Sequence, residues 1–209
     1  LVGAQDANET GLPVVAIEGS GSIKQAVDAL TGRGVFEEIE PPGGFNGTLR
    51  PYQRRGMSWL AFLKRYGLGA CLADDMGLGK TIQLIAFLLH ENGGGRKRAA
   101  APTLVVCPMS VAGNWQREIK RFAPAMRVLV HHGPERLSGA RFARTAARHD
   151  VVITTYALAH RDEQDIAAVD WEHIVLDEAQ NIKNAATKQS QSVRRLRAGH
   201  RIAMTGTPV

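Results

Sequence analysis

Two short runs carry the residue types and spacing that phosphate chemistry needs. The first is Asp74-Asp75-Met76-Gly77-Leu78-Gly79-Lys80-Thr81, which lies between an apolar run and a helical pattern. Glycines let backbone N–H groups turn toward phosphate oxygens, and a helix start adds the positive end of its dipole. Lys80 is placed to reach the β- and γ-phosphates of a nucleotide, and the Thr81 hydroxyl to ligate Mg²⁺. The loop departs from the common Walker pattern, because Asp74 stands where the first glycine would be. A tight glycine turn with no ligand could share the Gly-x-Gly-Lys-Thr core. The strand before it and the helix after it favour the phosphate loop.

The second run is Ile174-Val175-Leu176-Asp177-Glu178-Ala179-Gln180, an apolar stretch ending in two carboxylates. If the stretch is a strand, Asp177 falls at the C-terminal edge of the sheet, where doubly wound folds bind ligands. There Asp177 could hold Mg²⁺, directly or through water, and Glu178 could polarise an attacking water. An acidic helix start favours the same residue types without any chemistry. Pairing with the phosphate loop decides for chemistry. No Asn-Lys-x-Asp sequence is present to read guanine, which disfavours a GTPase.

Strands alternating with helices must position these residues. Apolar strand candidates are Ala70–Ala73, Thr103–Cys107, Arg127–Val130, Val151–Thr154, His173–Leu176 and Arg201–Met204. Ile82, Ile85, Ala86 and Leu89 recur at helical spacing after Lys80, and Trp115, Ile119 and Phe122 do so after Ser110. Asn184 is a candidate cap for a helix through Leu196 that Gly199 ends. Short continuous apolar strands separated by helices predict an α/β domain, its mostly parallel sheet covered on both faces. No internal repeat is evident, and Gly93–Arg98 reads as a flexible basic loop.

Residues 1–46 read as a separate acidic segment. They contain a candidate strand at Pro13–Ile17 and a candidate helix at Ser22–Leu30, and a linker by composition runs from Pro41 to Gly47. They hold two basic and seven acidic side chains, a balance of −5, whereas residues 47–209 hold 24 and 13, a balance of +11. Such an excess suits a polyanionic partner, although a solvated basic face would show it too. Of the 209 residues, 44% are hydrophobic and 22% charged, enough to bury a core and too ordered a balance for intrinsic disorder. No apolar run approaches the roughly 18 residues of a membrane span. The first residues lack a basic-then-apolar signal sequence, and the missing initiator Met is consistent with a fragment. Cys71 and Cys107 have no metal-ligand spacing and are expected to be core thiols. Secreted, membrane, zinc-finger and disordered classes are excluded.

From Leu49 to Pro208 the motifs, in order, resemble the Swi/Snf-type ATPases of helicase superfamily two. Leu49-Arg50-Pro51-Tyr52-Gln53 with Trp59-Leu60 is similar to the family's adenine-reading opening, and Asp74–Gln83 to its motif one. Val105–Pro108 through Asn114-Trp115 is similar to motif Ia, His131-His132-Gly133 to the loop before Ib, and Ile153–Tyr156 to Ib. Asp177-Glu178-Ala179-Gln180 with Ile182-Lys183-Asn184 resembles motif two, and Met204–Pro208 motif three. Gln180 replaces the His commoner in eukaryotic members, a bacterial or archaeal trait, and the Ala-, Arg- and Gly-rich composition points the same way.

The resemblance implies a RecA-like lobe at residues 47–209, with ATP and Mg²⁺ as cofactors. It implies nucleotide contacts from Tyr52, Gln53, Asp75, Met76, Gly77, Leu78, Gly79, Lys80, Thr81 and Ile82, with Gln53 reading adenine through its amide. Lys80, Asp177 and Glu178 become the catalytic residues, and Thr81 and Asp177 the metal ligands. Ser110, Asn114, Thr154 and Thr155 become candidate contacts to DNA phosphates, with helix capping as the competing role. Thr205 and Thr207 would couple the nucleotide state to lobe movement, and His131 and His132 would be structural. In this family a second RecA-like lobe follows motif three and carries arginine fingers and half of the DNA track. The expected activity of the whole is DNA-dependent ATP hydrolysis, driving translocation on double-stranded DNA and remodelling of DNA-bound protein complexes. The expected location is the cytoplasm, with the nucleoid if bacterial. Rival readings are a nucleotide-gated binding module without motor activity and a strand-separating DNA or RNA helicase.

Overall fold

The computed structural model describes residues 28, 37–75, 77–93 and 101–206. Candidate elements at 13–17 and 22–30, and the loop beyond Gly93, fall almost wholly outside these residues. Six strands form one sheet: β1 (Ala70–Leu72), β2 (Thr103–Cys107), β3 (Val128–Val130), β4 (Val151–Thr155), β5 (Trp171–Leu176) and β6 (Ala198–Met204). Their spatial order is β1-β6-β5-β2-β4-β3, and every pairing is parallel. Parallel neighbours need crossover connections. α1 (Pro51–Arg65) precedes β1, and the crossovers are built from α2 (Lys80–Glu91), α3 (Met109–Phe122), α4 (Gly139–Ala146), α5 (Tyr156–Arg161), α6 (Glu163–Ala167) and α7 (Lys188–Arg195).

Helices on both faces explain why β2 and β4 are buried at every position. Side chains alternate across a strand, so the two faces feed separate cores. Val105 and Cys107 join a cluster with Met57, Leu60, Leu84, Trp115 and Ile119 from α1, α2 and α3. Leu104 and Val106 point the other way, to Phe142, Tyr156, Ala159 and Val193. No helix among the described residues is long and apolar enough to cross a membrane.

Several details differ from the sequence expectation. β5 starts at Trp171 and β6 at Ala198, so Gly199 lies inside a strand and ends no helix. α7 begins at Lys188, where the Thr187 side chain accepts the Ser190 N–H at 3.2 Å. Asn184 instead closes a local turn, its side-chain oxygen accepting the Ala186 N–H at 2.9 Å. Cys107 is buried as expected, but Cys71 is exposed, because the edge strand β1 turns its middle residue outward. The compact unit that holds the sheet spans Glu38–Val209. Composition marks 41–47 as a linker, yet its Phe45 stacks on Phe122 with ring centroids 5.9 Å apart. The Asn46 N–H also donates to the Phe122 carbonyl at 2.7 Å, and the Ile39 N–H to Ser58 Oγ at 2.9 Å.

The strands end in register where chemistry is needed. Leu72 of β1 pairs with Met204 of β6, and Leu176 of β5 pairs with Ala203 of β6 and Val106 of β2. One residue on, the Asp177 N–H donates to Val106 O at 2.9 Å and the Thr205 N–H to Leu72 O at 3.1 Å. The phosphate loop, Asp177, Thr205 and the start of α3 therefore share the C-terminal edge of the sheet.

Candidate functional site

The phosphate loop leaves β1 and ends at Gly79, which adopts φ 78° and ψ 44° and starts α2. Only glycine suits this position. Besides the left-handed backbone, a Cβ there would come within 2.6 Å of Gln53 Nε2. Lys80 Nζ donates to the carbonyls of Asp74 at 2.6 Å and Asp75 at 3.0 Å, so its ammonium lies along the loop it serves. The Asp74 carboxylate accepts Gln83 Nε2 at 2.9 Å. Where the common pattern has glycine, this chain thus uses a carboxylate to tie the loop to its own helix. Gln83 is fully buried, and its Oε1 has no partner. Its signal in the sequence was an amide interrupting the apolar run from Ile82 to Leu89.

Tyr52 and Gln53 stand in the first turn of α1, against the loop. The Tyr52 hydroxyl and Gln53 Nε2 both donate to Leu78 O, at 3.2 and 3.1 Å. Gln53 Oε1 accepts the Arg50 N–H at 2.9 Å, satisfying one of the unpaired groups around the helix start. To read adenine through both halves of its amide, Gln53 must exchange both of these contacts. Asp75, Gly77 and Leu78 are exposed on the loop, Ile82 is half-buried beneath it, and Met76 lies outside the described residues.

Asp177 follows β5 and is held on three sides. Trp115 Nε1 donates to Oδ2 at 2.7 Å, the Glu178 N–H to Oδ1 at 2.9 Å, and the Tyr156 hydroxyl to the Asp177 carbonyl at 2.7 Å. Burial pushes the Asp177 carboxyl above the ordinary range, while the Trp115 and Glu178 donors pull the other way. Burial, with Asp177 nearby, also pushes the Cys107 thiol up to about 12. Cys107 is therefore an inert core thiol.

Glu178 sits at φ 51°, the one non-glycine residue with positive φ among those described. Such a backbone costs roughly 1–3 kcal/mol and persists only when its surroundings hold it. Here the Asn181 N–H and side chain both donate to the Glu178 carbonyl, at 2.9 and 2.8 Å. Gln180 Nε2 donates to Glu178 Oε2 at 2.6 Å, and Gln180 Oε1 accepts the Thr205 hydroxyl at 3.0 Å. A chain of two hydrogen bonds thus joins Glu178 to the end of β6. The sequence presented Gln180 only as a variant of a motif, without this contact.

One cavity of about 270 Å³ brings Gly79, Lys80, Thr81, Asp177 and Glu178 together. Its far wall is Met204 and one face of α3, formed by Val111, Asn114, Trp115 and Glu118. An alcohol oxygen and a half-buried carboxylate opposite a phosphate loop are the hard oxygen donors that Mg²⁺ takes alongside substrate phosphates, so the residues present fit that ion. Tyr52 and Gln53 do not line this cavity; they flank it across Leu78.

The candidate DNA residues fall in different places. Ser110 is exposed in the first turn of α3. Asn114 faces the cavity that Lys80 and Asp177 line. Thr154 is 1% exposed and its hydroxyl donates to His131 O at 3.3 Å, so its polar group is engaged inside the fold. Thr155 caps α5 by accepting the Leu158 N–H at 3.3 Å, the competing role foreseen for it. Thr205 is buried, and Thr207 lies outside the described residues. His131 is buried beside Asp162, Nε2 to Oδ2 at 2.9 Å, and Arg136 grips the same carboxylate at 2.6 and 2.9 Å. Arg136 chiefly, with His131, holds the Asp162 carboxyl down at about 2. This cluster anchors the loop after β3. His132 is exposed.

Comparison with known proteins agrees with this geometry. The family model described as SNF2-related domain matches residues 52–209. The Bacillus subtilis protein YwqA, which carries the name of an ATP-dependent helicase/translocase, is 50% identical over 190 residues, 91% of this chain and 20% of YwqA. The TATA-binding protein-associated factor mot1 of Schizosaccharomyces pombe is 35% identical over 95% of this chain and 10% of its own length. Among solved structures, the Sulfolobus solfataricus SWI2/SNF2 ATPase core in complex with dsDNA is 43% identical and superposes with a TM-score of 0.72. That match covers 83% of this chain and 35% of that one.

Proposed function

Because the chain belongs to the family of SNF2-related domains, we propose that it is the ATP-binding lobe of an ATPase that translocates along double-stranded DNA and remodels DNA-bound protein complexes. The observation that carries the reading is the single cavity at the strand ends that gathers Lys80, Thr81, Asp177 and Glu178. Lys80 needs only to leave the Asp74 and Asp75 carbonyls to meet the β- and γ-phosphates. Thr81 and Asp177 would hold Mg²⁺, which neutralises charge on those phosphates when bound. Glu178 orients the attacking water, and Gln180 fixes the Glu178 carboxylate through its amide N–H. Through Thr205 the same Gln180 senses where β6 ends, a route by which lobe movement and water orientation inform each other. Gln53 and Tyr52 take the base.

The chain spans a fifth or less of the curated relatives described above and about a third of the solved core. The rest of the motor, including a second RecA-like lobe with its arginine finger, would come from residues beyond those given. The DNA track on this lobe would run past Ser110, the exposed member of the candidate set. On this reading the protein works on DNA in the cytoplasm, with the nucleoid if bacterial.

The test compares ATP turnover by this chain and by a longer protein that includes a second lobe, each with and without duplex DNA. The lone lobe should bind Mg·ATP but turn over about 10³–10⁵ more slowly, the usual cost of a missing arginine finger. Duplex DNA should stimulate the longer protein, and Glu178→Gln should abolish its turnover while leaving ATP binding nearly intact. Turnover that ignores DNA would favour a nucleotide-gated binding module, and displacement of a paired strand would favour a helicase.

A further inference from the structure

Trp115 fills space in the core between α3 and the sheet, at 1% exposure. An apolar side chain of that size would fill it equally well, so its polar atom is the informative part. A buried indole N–H needs an acceptor. Trp171 finds an ordinary one, the Ile166 carbonyl at 2.9 Å. Trp115 instead reaches 2.7 Å from Oδ2 of Asp177, on the wall of the nucleotide cavity. The Glu178 N–H meets the other oxygen at 2.9 Å. One donor on each oxygen fixes the rotation of the carboxylate plane, while the remaining lone pairs stay available.

We propose that Trp115 is a positioning residue for the metal site: its indole N–H sets the rotation of the Asp177 carboxylate and ties that setting to helix α3. The inference rests on the reading that Asp177 binds Mg²⁺ beside ATP. Its consequence is regulatory. Ser110, in the first turn of α3, is the exposed candidate for DNA contact, and Trp115 lies further along the same helix. A Trp side chain has only two torsions, so a shift of α3 reaches the carboxylate with little slack. Duplex contact at the start of α3 would then act on the metal ligand without passing through the phosphate loop.

Outer partners of metal ligands typically cost 10–100-fold in metal affinity when removed. Trp115→Phe keeps an aromatic ring and deletes the donor. Calorimetry with ATP in EDTA should then give an affinity within about twofold of wild type. The Mg²⁺ concentration for half-maximal Mg·ATP binding should rise about tenfold. A merely structural role would weaken both or neither. In an Asp177→Asn background the same change should add less than about twofold, because the group it acts through is already altered. An unchanged Mg²⁺ requirement in Trp115→Phe overturns the proposal. Absence of Mg²⁺-dependent ATP binding in the wild type would instead sink the nucleotide reading beneath it. If Trp115→Phe does not fold, the wild-type indole N–H resonance of Trp115 decides, assigned by elimination with Trp59→Phe and Trp171→Phe. It should move when Mg²⁺ is added to the ATP-bound chain, and a resonance that stays in place refutes the role.

Discussion

Gly56→Ala sets two effects of opposite sign against each other within α1. Gly costs about 1 kcal/mol relative to Ala in a helix interior, so propensity alone makes the change stabilising. The structure opposes it. A Cβ on Gly56 would lie 1.9 Å from Gln83 Oε1 and 3.0 Å from its Cδ, so the amide must retreat by more than 1 Å. A free side chain would do this cheaply. Gln83, however, is fully buried and bound to Asp74 Oδ2 at 2.9 Å. Retreat gives up a hydrogen bond to a charged group, worth roughly 1.5–3 kcal/mol, and overpacking adds about 1–3. The clash wins, and we expect a net loss of about 2–4 kcal/mol in urea unfolding. ATP affinity should fall as well, because the lost contact anchors the first residue of the phosphate loop. In a Gln83→Ala background the obstacle is gone, so Gly56→Ala should become neutral or stabilising by up to about 1 kcal/mol. A Gly56→Ala protein as stable as wild type, with Gln83 present, would falsify the packing argument.

Lys80→Ala removes a charge-assisted contact worth roughly 1.5–3 kcal/mol, so ATP affinity by calorimetry should drop tenfold or more; equal affinity would remove the phosphate-loop assignment. Ser110→Ala should weaken duplex binding by a few-fold with its salt dependence unchanged, since a hydroxyl carries no charge, whereas Thr154→Val should leave DNA binding unchanged and cost about 0.5–1.5 kcal/mol of stability through the lost bond to His131. The reverse pattern would relocate the DNA track. Burial lowers the pKa of His173 from 6.5 to about 3, with like charges on Lys64 and His200 contributing. Below 6.5 the unfolded chain takes up a proton that the folded one refuses, so stability should fall with acidification by roughly 2 kcal/mol at pH 5. His173→Gln should flatten that slope, and a wild type equally stable at pH 7 and pH 5 contradicts the sign.

Contiguity explains much of what the sequence revealed. The phosphate loop and the Asp177-Glu178 pair are each local runs after an apolar strand, so residue order alone displays their chemistry. β2 and β4 were also plain, since a strand covered on both faces is apolar throughout. The starts of two strands were less legible: Glu172 in β5 and Gly199 in β6 interrupt the apolar pattern while still lying within the strands. Asn184 and Thr187 are both good helix caps, and nothing local says that Asn184 spends its side chain on a turn. Thr154 suits a phosphate oxygen by type, but its place in a fully covered strand turns the hydroxyl inward. The contacts that organise the site, Trp115 to Asp177 and Gln180 to Thr205, join residues far apart in the chain and only the fold brings them together.

The edge position of β1 bears on how the protein is made. Among the described residues its one neighbour in the sheet is β6, the last of the described strands. A ribosome therefore delivers the phosphate loop early and its supporting strand late. Until Met204 has emerged, Leu72 has no ladder to join and Lys80 cannot face Asp177 across a finished sheet edge. Pairings this distant along the chain form slowly. Nucleotide capture is thus a late event in the maturation of this lobe, and ATP, by binding the closed sheet alone, draws nascent chains toward it.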